Sequence, residues 1–177
     1  AFVFVAHHGD LNNNISWGTL AVQRGLNGFY ESPPAGGWPF SAPNQPPLTI
    51  LTLAGIRVIW QAIENVAWWL NNNLKFFYSP FIWFWEGKGM TLLLKLLGIL
   101  ADLGIGWVIY KYFKQKNKLK IGLRLSAVWL FNPITWYNSA VWGQTDSVVN
   151  FLGLAAVLFL LRKKLVLFFV LITSSLL

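Results

Sequence analysis

Asn138, Trp142, Gln144 and Asp146 crowd into the stretch Asn132-Pro133-Ile134-Thr135-Trp136-Tyr137-Asn138-Ser139-Ala140-Val141-Trp142-Gly143-Gln144-Thr145-Asp146-Ser147. Two amides, a carboxylate and an indole in so short a run can hold a polar ligand by hydrogen bonds and by ring contact. With only six Asp and Glu in the chain, each carboxylate needs a reason. The stretch separates the apolar run Ile121–Phe131 from the apolar run Val148–Leu161 and reads as the turn of a helical hairpin. Capping of the following helix by Asp146 and Ser147 is the plainer explanation of that carboxylate; it leaves Asn138, Trp142 and Gln144 unexplained.

Lys95 and Asp102 are the next pair. They sit two helical turns apart in the apolar run Met90–Tyr110, on one face and about 10 Å apart along the axis, too far for a direct ion pair. A carboxylate in mid-span faces a partner inside the bundle, so Asp102 is expected to clamp a neighbouring helix, with Asn132 or Asn138 as the partner. His7-His8 reads as a solvated pair, because no third ligand lies at zinc-site spacing. The chain has neither a glycine-rich phosphate loop nor a Ser-His-Asp arrangement.

These residues must be positioned by membrane helices. Hydrophobic residues make up 55% of the chain and charged ones 11%, with a mean hydropathy of +0.50; a soluble domain carries roughly a quarter charged residues. The net charge of +8 is no nucleic-acid footprint. Lys111, Lys114, Lys116, Lys118, Lys120 and Arg124 form one basic loop and Arg162, Lys163 and Lys164 another, without an acidic residue in either, which marks cytoplasmic loops. The hinge at 143–147 then faces outward. With no cysteine, disulfide arguments do not arise.

The fold expected is an all-α, multi-spanning membrane bundle. The expected order is the end of a first span (1–6), a large first outer loop (7–88), a span (89–111), a cytoplasmic basic loop (112–120), a span (121–142), the outer hinge (143–147), a span (148–161), a cytoplasmic loop (162–164) and a cut span (165–177). The apolar runs at the two termini are too short to span, so the chain reads as a fragment. Within the outer loop, Asn12-Asn13-Asn14 signals a helix start and Gly28 its stop. Six prolines between Glu31 and Pro47 make an irregular loop. Leu48–Ile63, interrupted by Arg57 and closed by Glu64, reads as a re-entrant or surface-lying helix. The Trp- and Phe-rich run Trp68–Trp85 reads as an aromatic belt. Pro133 is expected to bend its span and turn Asn138, Gln144 and Asp146 toward the outer side.

Four blocks carry a family resemblance. They are Gly9-Asp10-Leu11 with Trp17 and Gly28-Phe29-Tyr30; Asn44 with Pro46-Pro47-Leu48, where Gln45 replaces a Tyr; Lys95 with Ala101-Asp102-Leu103 to Tyr110; and Phe131-Asn132-Pro133, Asn138-Ser139-Ala140 and Trp142-Gly143-Gln144-Thr145-Asp146-Ser147. In this order they resemble the multi-spanning glycosyltransferases of the GT-C superfamily, specifically prokaryotic proteins related to GPI-anchor mannosyltransferases. The last block is the most specific.

The resemblance implies inverting transfer of a hexose, as in mannosyltransferases, from a polyprenyl-phosphate-linked donor to a glycan or lipid-linked acceptor at the outer face of a prokaryotic cell membrane. By position Asp10 is the general base, although it also suits a helix N-cap. Lys88 and Arg57 are candidate phosphate partners, with His7 and His8 weaker ones. Relatives often carry Asp-x-Asp here; Asn12 replaces the second Asp, which puts a bound Mg or Mn ion in doubt. The fragment alone is expected to be inactive. The rival reading is a transporter or lipid-handling protein without transfer chemistry; no repeat of the Pro-containing hairpin supports it.

Overall fold

The computed structural model describes residues 9–31, 33–74 and 76–176, and every regular element among them is helical. The order is α1 (Gly9–Arg24), α2 (Pro47–Asn73), α3 (Pro80–Phe84), a π-helical turn (Trp85–Gly89), α4 (Met90–Gln115), α5 (Leu119–Leu130), α6 (Pro133–Trp136), a second π-helical turn (Tyr137–Trp142), α7 (Asp146–Leu161) and α8 (Leu165–Leu176). Two helices are long and apolar enough to cross a membrane: Pro47–Asn73, and the continuous 36-residue helix Pro80–Gln115. His7 and His8 lie outside the described residues. Two compact units divide the chain between Leu94 and Lys95.

In the first unit, α1 begins at Gly9 and not at the Asn run. Asn13 lies inside the helix, where its Oδ1 accepts from the Ser41 backbone N–H at 3.1 Å. The helix ends at Arg24 because Gly25 takes the left-handed conformation (φ 77°), three residues ahead of the expected stop at Gly28. The proline-rich loop is tied down by the indole of Trp17, which donates to the Ser41 carbonyl at 2.9 Å, and by the Tyr30 hydroxyl, which donates to the Gln45 carbonyl at 2.8 Å. Phe29 is buried beside Tyr30 and Trp38.

Helix α2 corrects the sequence reading. It starts at Pro47, where a proline costs no hydrogen bond, but it neither breaks at Arg57 nor closes at Glu64. It runs 27 residues to Asn73. Arg and Glu are good helix formers, and no Gly or Pro intervenes after Gly55. Arg57, Gln61 and Glu64 form a stripe at i, i+4 and i+7, while Ile50, Leu53, Ile56, Trp60 and Ala67 are buried.

Gly18 lets α1 lie on α2. A Cβ at that position would come 2.7 Å from the Leu53 carbonyl oxygen, a backbone atom that cannot swing aside. Gly18→Ala is therefore expected to cost about 1–3 kcal/mol, the usual penalty of overpacking. A lowered melting temperature with faster proteolysis of α1 is the expected readout.

A reciprocal pair joins α2 to the first π-turn. The Trp60 indole donates to the Trp85 carbonyl at 3.1 Å and the Trp85 indole to the Trp60 carbonyl at 3.0 Å, both rings being buried. Gly89 leaves room for them, since a Cβ there would meet the Trp85 ring at 2.7 Å. Trp85 thus leaves the expected belt, whereas Trp68, Trp69 and Trp83 remain exposed as a belt requires. Residues 80–88, expected in the outer loop, are helical.

In the second unit the expected span 121–142 is broken. α5 stops at Leu130, and Asn132 adopts an extended conformation (φ −67°, ψ 121°) as the residue before Pro133 must. Asn132 Oδ1 then accepts from the Ile134 N–H at 3.0 Å and starts a new helix, so proline produces a break with its own cap in place of a bend. α5 packs on α4 through small residues: the Ser126 hydroxyl donates to the Gly106 carbonyl at 2.8 Å, and Gly122 faces Phe113 and Tyr110. α7 meets α4 where Phe151 covers Gly104. At the far end the Arg162 guanidinium donates to Gln115 Oε1 at 2.8 Å, linking the two basic turns.

Candidate functional site

The hinge is built on a π-helical turn. Residues 137–142 are underwound relative to α6, with i→i+5 bonding, and the turn closes at Gly143, whose φ of 87° admits glycine with little strain. The Asn138 carbonyl accepts from both the Gly143 N–H (2.9 Å) and the Gln144 N–H (3.1 Å), which folds the chain back at this point. π-turns inside helices recur at functional sites.

Lys95 anchors this turn. Its side chain is fully buried, and Nζ donates to the Val141 carbonyl at 2.7 Å. Three residues on, Gly98 presses α4 against the hinge: a Cβ there would sit 3.1 Å from the Gln144 carbonyl oxygen and 3.2 Å from Ser139 Cβ. Ser139 is itself buried and donates to the Thr135 carbonyl at 3.2 Å. The hinge is therefore held against α4 near residue 98, while the basic turns meet at Gln115. The two lie at opposite ends of this helix stretch, about 25 Å apart along its axis.

The structure brings some of the expected residues together. Asn138 Nδ2 donates to Asp146 Oδ2 at 3.3 Å, and the Tyr137 and Trp142 rings meet edge to face at 6.3 Å. Asp146 does not cap α7 through its side chain. Thr145 holds the N-cap position and Asp146 the first turn, where the helix dipole favours a carboxylate. Its exposed carboxylate and the half-buried Asn138 and Gln144 present a polar surface at the hinge.

Asp102 does not make the expected clamp. It is 5% exposed, and neither carboxylate oxygen has a hydrogen-bond partner among the described residues, Asn132 and Asn138 included. Such a group costs stability. Asp102→Leu is expected to raise the melting temperature, by a few degrees for each kcal/mol recovered. A lowered value in a thermal unfolding assay would mean that Asp102 has a stabilising partner.

In the first unit, Asp10 lies exposed in the first turn of α1, one residue inside the helix and not before it. The Arg57 guanidinium stacks on the Trp60 ring at 4.2 Å, and its Nε is buried without a partner. Lys88 is exposed on the first π-turn. No group of three or more His, Cys, Asp or Glu placed to hold a metal ion occurs among the described residues.

Sequence reasoning missed the anchor of Lys95, because its partner is a backbone carbonyl 46 residues away. It also missed the Trp60–Trp85 pair; the only signal was tryptophan richness. Comparison with known proteins adds no assignment: no family model matches the chain, and neither a curated protein nor a solved structure is significantly similar to it.

Proposed function

We propose that the chain belongs to a multi-spanning membrane glycosyltransferase of GT-C type, which moves a hexose such as mannose with inversion from a polyprenyl-phosphate donor to a glycan or lipid-linked acceptor. The observation that carries the reading is the polar hinge Asn138–Asp146, anchored by buried Lys95 at the end of α4 opposite the basic turns. Basic turns mark the cytoplasmic side, so the hinge opens to the outer face. Amides and a carboxylate there suit the hydroxyls of a sugar. The order of the motif blocks, which resembles the GT-C pattern, supports the same reading.

Asp10 serves as the general base on the acceptor hydroxyl, and Arg57 and Lys88 offer positive charge to the donor phosphate. For Asp10 and Asp146 to share a compartment, α2 must lie in the membrane interface, although it is long enough to cross. The stripe Arg57, Gln61 and Glu64 supports the interfacial position: in a crossing helix it would fall near the bilayer centre, where charges are costly.

The test is incubation of the full-length protein in proteoliposomes with a labelled polyprenyl-phosphate hexose and acceptor lipids. Labelled acceptor supports the transferase. Movement of donor between leaflets without labelled acceptor supports the transporter and contradicts the proposal.

A further inference from the structure

Phe151 of α7 lies against Gly104 of α4, and nearer the basic turns the bond from Arg162 to Gln115 links the chain after α7 to α4 again. Between these points lies a cavity of about 220 Å³. Its walls are apolar: Trp107 and Val108 from α4, and Phe151, Ala155 and Leu158 from α7. Lys111 and Arg162 stand at its mouth, with Lys114 and Lys116 lining the adjoining surface clefts. No acidic residue lines any of these. Lys111 Nζ sits 4.4 Å over the Trp107 ring, which directs its charge to the cleft edge. The bond to Gln115 uses one of the five N–H donors of Arg162.

We infer that this cleft binds an anionic phospholipid of the cytoplasmic leaflet, with one acyl chain between α4 and α7 and the phosphate between Lys111 and Arg162. Three observations select the occupant. The cavity is an open furrow lined mainly by apolar and aromatic side chains, Trp107, Val108, Tyr112, Phe151, Ala155 and Leu158, which suits part of an acyl chain. The stretch of α4 from Gly104 to Gln115 rises about 16 Å, close to half of the ~30 Å hydrocarbon core and so to one leaflet. The unbalanced positive charge at the mouth matches an anionic head group, as basic pockets between spanning helices do. The inference depends on α4 being embedded in a bilayer and not on the transfer chemistry, so failure of the transferase reading leaves it standing.

The test uses the protein in vesicles with photoreactive-chain phosphatidylglycerol or the matching phosphatidylcholine as probe. Labelling of the peptides containing Trp107 and Phe151 is expected to be about thirtyfold stronger with phosphatidylglycerol, given two basic residues near the membrane surface. Lys111→Gln combined with Arg162→Gln should bring it to the phosphatidylcholine level. Ala155→Phe should abolish it by filling the cleft while leaving both charges, and Arg162→Lys should keep most of it. Equal labelling by the two lipids would overturn the inference, as would labelling that survives both the double variant and the filled cleft. Displacement by millimolar inorganic phosphate would assign the charges to a free anion and also overturn it.

Discussion

Asp10→Asn is expected to abolish sugar transfer while leaving the amount of protein in the membrane unchanged. Removal of a general base costs typically 10²–10⁴-fold in rate, and an amide cannot accept the hydroxyl proton. The substitution is otherwise mild. Asp10 is exposed in the first turn of α1, and α1 is held by Leu11, Trp17 and Ala21 on its buried face and by Gly18 against α2. Losing a carboxylate from a first turn costs about 0.3–1 kcal/mol of dipole stabilisation, and the isosteric amide keeps an acceptor oxygen in the same place. Initial rates with the labelled donor, compared at equal protein, separate the outcomes. A variant with undiminished transfer would remove Asp10 from the reaction.

Lys95→Met is expected to lower transfer about ten- to a hundredfold. A hydrogen bond to a charged group is worth about 1.5–3 kcal/mol, and tenfold in rate corresponds to about 1.4 kcal/mol. The loss acts through the hinge. Without Nζ the Val141 carbonyl loses the bond that holds the π-turn, and Asn138, Gln144 and Asp146 lose their fixed positions with it. Methionine keeps the helix apolar, so insertion and yield should hold while kcat falls. A labelled residue at position 145 should also become more mobile. Unchanged kcat together with unchanged mobility would make Lys95 a packing residue only.

The helical class was legible because apolar runs near bilayer length announce themselves by composition. So were the basic turns, whose charge alone marks them. Helix ends were less legible. Asn12-Asn13-Asn14 looked like a start because Asn favours caps, yet Asn13 spends its side chain on the Ser41 N–H, a partner in a distant loop. Arg57 and Glu64 looked like stops because charge was read as a break in a membrane run; the backbone does not register charge that way, and α2 passes through both. Pro133 looked like a kink, but Asn132 supplies a cap and makes a break. The hinge residues were visible as a polar cluster. What fixes them was legible in part: Gly98 signals a close helix approach, though not that the hinge is what approaches, and Lys95 bonds a main-chain carbonyl, which has no residue-type signature.

The absence of cysteine from the chain makes single-cysteine labelling direct. One cysteine at position 10 and, separately, one at position 145 would be treated with a membrane-impermeant thiol reagent on intact cells, before and after permeabilisation. Both are expected to react from outside, without permeabilisation, while a cysteine at position 117 in the basic turn reacts only after it. If position 145 reacts from outside and position 10 only after permeabilisation, α2 crosses the bilayer and Asp10 and Asp146 face different compartments, which contradicts the proposed transferase.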